Sequence, residues 1–479
     1  MLSELPSFFD WLQAQPQPSR PWLILGKGPS FSRRAEFDTS GYRLMSLNHV
    51  VRELPVDAAH LIDIDVVTSC AEALIANAGV LVMPWFPHQH NRVGEISLPE
   101  WVQRIPALAT LAASGRLCWY DLAVSPVRHG PGPVVQATFF SAEAALSLLA
   151  LAGVPLLRSL GVDGGQHYSE RFEDLSAITR LNNGHASYDL QFAGMARTIF
   201  KTGVDFAPLD MPSPIEVLVG SEEPQRLAVK VLEYSIRRHS SVSVRVRALH
   251  RCGIEFPLPR DAKNAPRTPF SFQRFAIPML CGYRGRGIYL DSDMLVFRDI
   301  RELWSFPMAG AEVQAVAEPG SSGRKPQFSV MLLDCAQLAD WTPERIIARL
   351  DSGELSYERL MFEMAVARSV KSDLPQRWNA LETYTRGDTA LLHYTDMTRQ
   401  PWVTIRNPNG GLWVQALLEA IDEGFITTAE VEADVACGWV RPSLLLQLQH
   451  RAATLGWRWP LAKWLDRNFV PPYKKPRSA

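Results

Sequence analysis

Cysteine is scarce and scattered. There are six in 479 residues (Cys70, Cys118, Cys252, Cys281, Cys335 and Cys437), with no Cys-x-x-Cys pair and no His/Cys cluster. That pattern gives neither a disulfide framework nor a structural zinc site. No apolar run reaches the roughly 18 residues that span a bilayer, so nothing reads as a membrane helix. Charge of one sign is not in excess either: 49 basic residues stand against 50 acidic ones. A general nucleic-acid binder would carry a basic surplus, so none is expected as partner, and any charged ligand must be met locally. The opening "MLSELPSFFDWLQ" has acids early and no basic stretch before an apolar core, so it does not read as a signal peptide and a cytoplasmic location is expected.

What the chain does have is length and apolar residues, 47% of the total. At about 100–200 residues per domain it should hold more than one core. From residue 21 to about 165, short apolar runs such as "WLILGKGPS", "YRLMSLNHVV" and "GRLCWYDLAV" alternate with helical patterns such as "SAEAALSLLALAGV". Strands alternating with helices predict a layered α/β domain with a mostly parallel sheet. A Pro-rich stretch before Ile215 places a boundary near residue 208. The α/β pattern then restarts with "IEVLVG", "RLAVKVLEYSIRRHS" and "VSVRVRAL", and after a long polar loop "TPFSFQRFAIPMLCGY" reads as a helix. The expected organisation is therefore 1–208, 209–440 and a tail of 441–479.

The tail has Trp457, Trp459 and Trp464 interleaved with Arg451, Arg458, Lys463, Arg467, Lys474, Lys475 and Arg477. Such a segment suits either an anionic membrane surface or a helix docked through its tryptophans. Both readings stand at this stage, the first implying peripheral contact with the inner face of a membrane.

The most informative stretch is "GRGIYLDSDMLVFRDIRELW", residues 285–304. Residues i and i+2 of a strand share a face, so a strand through Asp291 and Asp293 would project both carboxylates together, with Ser292 turned away. Apolar "GIYL" before them predicts a central strand, whose carboxyl end is where open α/β sheets bind ligands. Two like charges this close call for a compensating cation, and hard carboxylate oxygens favour Mg²⁺ or Mn²⁺.

The stretch "TPFSFQRFAIPMLCGYRGRGIYLDSDMLVFRDIRELW" resembles glycosyltransferase family 8, the family of glycogenin and the bacterial lipooligosaccharide galactosyltransferases. Arg274 stands at that family's helical arginine, and Asp291-Ser292-Asp293 at its metal motif. "LLHYTDMTRQPW" resembles the family's late His-x-x-Gly-x-x-Lys-Pro-Trp segment, through His393, Pro401 and Trp402. Asp396 replaces the glycine, and Arg399 or Gln400 must serve for the lysine, which arginine can do with a bidentate fork. "QFSVMLLDC" puts Gln327 at the asparagine that touches the donor sugar, and "SYERLMFEM" puts Glu358 at a sugar-facing carboxylate. Ser221 and Glu222 in "VLVGSEEPQRL" fall at the nucleoside-binding edge.

The resemblance covers 215 to about 415. It implies a GT-A type nucleotide-diphospho-sugar transferase with a mixed, mostly parallel sheet, in which Asp291, Asp293 and His393 hold Mn²⁺. It further implies a retaining transfer from a nucleotide-sugar donor, a UDP-sugar, to a glycan or lipid-linked acceptor.

The N-terminal "WLILGKGPSF" has Gly26, Gly28 and Ser30 in a turn after a strand, a set of backbone N–H groups suited to a phosphate. Phe31 stands where a dinucleotide fingerprint has its third glycine, which argues against NAD. The turn, with "FFSAEAALSLLALAGVPLLRSLGVDGGQHY", resembles the Rossmann-like domain of family 42 bacterial sialyltransferases. Carried over, Ser141 and Asp163 would join Gly26, Gly28, Pro29 and Ser30 at a nucleotide or phosphate site, with His167 and Tyr168 as polar actors; Lys27 replaces the group's asparagine. A domain that supports or presents the acceptor is the other expectation. For the whole chain the alternatives are a bifunctional transferase, or a nucleotide-sugar or glycan-binding protein with weak turnover.

Overall fold

The computed structural model describes residues 5–474 apart from Pro126, Pro269 and 319–324. It has two compact units, 1–214 with 240–243, and 215–239 with 244–479.

The first unit is built on eight strands. They are β1 (Trp22–Leu25), β2 (Arg43–Leu47), β3 (Val56–His60), β4 (Ala78–Pro84), β5 (Leu117–Leu122), β6 (Val134–Val135), β7 (Leu156–Leu160) and β8 (Asp205–Pro208). Their order is β6-β5-β4-β3-β2-β1-β7-β8, and every pairing is parallel. A parallel sheet is covered on both faces, which is why "WLIL" is apolar throughout rather than alternating. Trp22 and Ile24 enter one buried cluster while Leu23 and Leu25 enter the other. The helix Ser141–Leu151 contributes six alanines and leucines to the first cluster, and Gly153 follows it at φ +82°, a left-handed turn that favours glycine. From β1 the chain winds outward to β6 and returns to β7 beside β1, so a topological switch point lies between β1 and β7.

The second unit carries β9 (Ile215–Gly220), β10 (Val244–Ala248), β11 (Arg286–Asp291), β12 (Met294–Val296), β13 (Val313–Val316), β14 (Val330–Asp334), β15 (Val370–Leu374), β16 (Ala380–Leu381) and β17 (Leu391–His393). Six of them form a mixed sheet ordered β10-β9-β11-β14-β13-β15, with β14 antiparallel to both neighbours. The other three form a small sheet ordered β12-β17-β16. The expected α/β class, with a parallel layered sheet in the first unit and a mixed, mostly parallel sheet in the second, is the class observed.

Two local expectations change. The segment 268–283 does not form one long helix: a 3-10 turn, Gln273–Ala276, is followed by the short helix Ile277–Leu280. Pro278 has no N–H to donate and is tolerated only in a first turn, so the helix cannot extend backward through it. The stretch around Asn48 is not all strand either, since β2 ends at Leu47 and a 3-10 turn runs Asn48–Arg52.

The tail forms the helices Ser443–Gln449 and Trp459–Leu465 and docks within the second unit. Leu446, Leu455 and Ala462 pack with Ile405 and Leu465, and Asp466 accepts from the N–H and hydroxyl of Ser443. Leu461, Trp464 and Val470 stay exposed, with Arg467 stacked over the Trp464 ring at 4.1 Å.

Candidate active site

Asp291 and Asp293 do not share one strand. Asp291 ends β11, in the six-stranded sheet, and Asp293 lies in a bend before β12, in the small sheet. Their convergence comes from the chain changing sheets between them, with Ser292 buried. β12 runs antiparallel to β17 with Met294 opposite His393, and the Tyr394 N–H donates to the Asp293 carbonyl at 2.8 Å. That pairing carries His393 across a hundred residues of sequence to the aspartates. One ligand atom from each of Asp291, Asp293 and His393 lies within 4.8 Å of the others.

Each of the three is held by a polar neighbour. The Tyr289 hydroxyl donates to Asp291 Oδ1 at 2.6 Å. Gln400 Nε2 donates to Asp293 Oδ2 at 2.9 Å. Asn379 Oδ1 lies 2.8 Å from His393 Nδ1, which assigns the proton to Nδ1 and turns the lone pair of Nε2 toward Asp293 Oδ1, 3.1 Å away. Two lone pairs would then face each other unless a proton or a metal cation lies between them. Burial pushes the Asp291 carboxyl above its usual range and the Asp293 charge adds to this, while the Arg274 guanidinium opposes them. Two carboxylates and one imidazole with a fixed tautomer fit Mn²⁺ or Mg²⁺ by donor type.

Arg274, only 5% exposed, sits in its 3-10 turn with its guanidinium 4.6 Å over the Tyr289 ring. It donates to the Gln327 and Phe328 carbonyls at 3.1 and 3.4 Å and lies 4.0 Å from Asp291 Oδ1. The side chain of Gln327 turns instead to the Lys325 carbonyl at 2.9 Å, so what Gln327 presents to Arg274 is its backbone.

Gln400 is buried against Asp293 while Arg399 is exposed, which separates the two residues expected to stand for a lysine. Glu358 is exposed in the first turn of the helix Tyr357–Glu363 and does not belong to the three-residue ligand group. At the end of β9, Ser221 is fully buried and its hydroxyl is 2.8 Å from His250 Nδ1, whose Nε2 is 3.1 Å from Glu223. Glu222 caps the turn Glu223–Gln225 through its N–H to the Gln225 side chain.

In the first unit, Gly26 and Gly28 line a cavity of about 840 Å³ at the switch point. The concave set of N–H groups expected there is closed: Gly26 donates to the Leu160 carbonyl, Gly28 to that of Gly161, and Ser30 to the Asp163 carboxylate, at 2.7–2.8 Å. The glycines are explained by packing. A Cβ on Gly26 would stand 2.2 Å from the Gly161 carbonyl oxygen, and one on Gly28 would stand 2.5 Å from the Asp163 carboxylate.

Tyr289 and Asn379 were absent from the residues the sequence singled out, and Gln400, expected as a stand-in for a lysine, holds Asp293 instead. Tyr289 carries a readable signal, being two positions before Asp291 on the same strand face. Asn379 carries none, because only the parallel pairing of β16 with β17 brings its loop to His393.

No protein-family model matches the chain. It is similar to Protein CDI of Arabidopsis thaliana, at 27% identity over 228 residues, 42% of this chain and 81% of that protein. Among solved structures it is similar to the bifunctional glycosyltransferase WbbM, at 14% identity and a TM-score of 0.33, over 45% of this chain and 51% of that one. It is also similar to the galactosyltransferase LgtC in complex with donor and acceptor sugar analogues, at 13% identity and a TM-score of 0.30, over 45% of this chain and 97% of that one. The chain thus spans about half the length of WbbM.

Proposed function

We propose that the second unit is a metal-dependent retaining glycosyltransferase, moving a sugar from a nucleotide diphosphate donor, a UDP-sugar, to a hydroxyl of a glycan or lipid-linked acceptor. The observation that carries this reading is the convergence of Asp291, Asp293 and His393 at the seam of two sheets, each oriented by its own buried partner. A bound Mn²⁺ or Mg²⁺ would supply positive charge to the diphosphate as the nucleotide departs. The chain's residues do the rest. Tyr289, Gln400 and Asn379 hold the ligand atoms in register, and Arg274 and the exposed Arg399 offer guanidinium groups to the phosphate oxygens. In this reading the segment of Ser221 and Glu222 serves the nucleoside, and the segments of Gln327 and Glu358 serve the donor sugar. The acceptor oxygen attacks the anomeric carbon on the face from which the nucleotide leaves, and the departing phosphate oxygen takes the hydroxyl proton. Exposed Leu461 and Trp464 beside Lys463 and Arg467 support a peripheral contact with anionic lipid.

The test is release of free UDP from a panel of UDP-sugars with Mn²⁺, repeated with Asp293→Ala. Turnover abolished by the substitution is the expected result. If UDP with Mn²⁺ neither raises the melting temperature nor is released from any donor, the donor-site reading is wrong.

A further inference from the structure

The cavity of the first unit lies where the carboxyl ends of five strands meet. Lys27 follows β1, Asn48 and His49 follow β2, Asp63 follows β3, His88 follows β4 and Asp163 follows β7, and all six line it. Asp63 and His88 are neighbours, since their segments form a parallel bridge past the ends of β3 and β4. Side chains converging from several strand ends at a switch point are how open α/β sheets build ligand sites.

Three buried polar atoms among these residues lack a hydrogen-bond partner within the protein: Asn48 Oδ1, His49 Nδ1 and His88 Nε2. Each such atom costs about 1–3 kcal/mol if left unmet; the three lie under the cavity surface, so they mark a polar wall whose side chains meet a ligand by rotating toward it. Part of the lining is aromatic. Phe140 lies 5.0 Å from Tyr188 and 5.6 Å from His185, and Phe139 lies 5.0 Å from His185, centroid to centroid. That aromatic part is set in place by a buried carboxylate, Glu143, which accepts the N–H groups of Thr138, Phe139 and Phe140 at 2.9–3.0 Å.

Charge selects the ligand class. Among the described lining residues, Lys27 is the one lysine or arginine against Asp63, Asp65 and Asp163. Lys27 already donates to Thr179 at 3.1 Å and sits 4.2 Å over the Tyr168 ring. The N–H groups of Gly26, Gly28 and Ser30 are engaged within the unit. Burial pushes Asp63 up to about 6, with the Asn91 N–H opposing and the Asp65 charge adding, so a phosphate would bring further negative charge to a site that already resists it. An uncharged polyol has no such conflict: its hydroxyls can donate to Asp63, Asn48 and the imidazole nitrogens while its C–H face covers the aromatic wall.

We propose that the first unit carries a saccharide-binding site of its own, in which Asp63, His88, His49 and Asn48 take the hydroxyls of a neutral sugar stacked on Phe140 and Tyr188. The site goes beyond the donor site of the second unit and does not depend on it.

The test is calorimetric titration of the full-length Asp293→Ala protein, without metal, with glucose, galactose, N-acetylglucosamine and lactose, and with CMP, UMP and UDP. Saturable binding of at least one saccharide is expected, weakened at least tenfold in both Asp63→Asn and His88→Gln variants made in the same background, whose folding is checked by circular dichroism. The proposal is overturned if none of the saccharides binds, or if binding is unchanged in both folded variants. It is equally overturned if the nucleotides bind and are lost in those variants while the saccharides do not bind. Because Asp293→Ala disables the donor site beforehand, these outcomes are independent of whether UDP is released by the unsubstituted protein.

Discussion

The two units place ligand-facing groups at the same architectural position, the carboxyl edge of a sheet, and fill it with opposite chemistry. In the second unit two carboxylates converge with one imidazole, in reach of a buried arginine. In the first, the edge is a roomy cavity in which burial lowers the pKa of His49 and His88 and raises that of Asp63. A sheet edge thus fixes where a ligand sits, while the density of charge there decides which kind. The reading proposed for one edge is a cation and, through it, a diphosphate; the one proposed for the other is an uncharged sugar.

The comparison breaks most sharply at Asp293. Its replacement by alanine should lower metal-dependent UDP release by at least about 10²-fold, several kcal/mol of transition-state stabilisation, and leave saccharide titrations of the first unit unchanged. Loss at both edges would show that they are not independent. Next in size is Gly26→Ala. Its Cβ has no room beside the Gly161 backbone, so the first unit should lose about 1–3 kcal/mol or more, read by denaturant unfolding. The second unit's unfolding should be unaffected.

Asn379→Ala sharpens the comparison from the other side. Freed from its partner, His393 can rotate or change tautomer, and Mn²⁺ affinity measured from free-ion electron paramagnetic resonance should fall roughly 10–100-fold. Unchanged affinity would mean that the 2.8 Å contact does not orient the ring.

The smallest effect per step is the acid response of the first unit. Burial, with the Lys27 and Arg52 charges, lowers His49 to about 4, and burial lowers His60 to about 3. Both folded values lie below the unfolded one near 6.5, so the unfolded chain binds protons that the native one refuses. Stability is therefore fully present above pH 6.5 and lost below it, by about 1.4 kcal/mol per pH unit for each histidine until its folded value is reached. Thermal unfolding of the first unit from pH 7 to pH 5 measures it, and a flat profile would contradict the burial of both rings.

Much of this was legible in the chain. "WLIL" announced a buried parallel strand, "SAEAALSLLALAGV" a helix ended by glycine, and the order of the Asp291–Asp293 pair before His393 pointed to one centre. What was not legible depended on pairing at long range. The strand alternation that seemed to align the aspartates is absent, because the chain leaves one sheet at Asp291 and enters another at Met294. Asn379 and Gln400 reach the centre only through β16, β17 and the loop beyond, which no local periodicity encodes. The glycines of "GKGPS" read equally well as a phosphate cradle or as packing, and only the 2.2 Å clearance to Gly161 distinguishes them.

The change of sheet between Asp291 and Asp293 has a mechanical side. Asp291 belongs to the large sheet, its N–H tied to the Ser329 carbonyl, whereas Asp293 and His393 are joined through the small one. Any shear between the two sheets would therefore change the ligand triangle while leaving each strand pairing intact. An ion spanning it would act as a clasp across a joint, turning occupancy of a few cubic ångströms into stiffness of the whole unit.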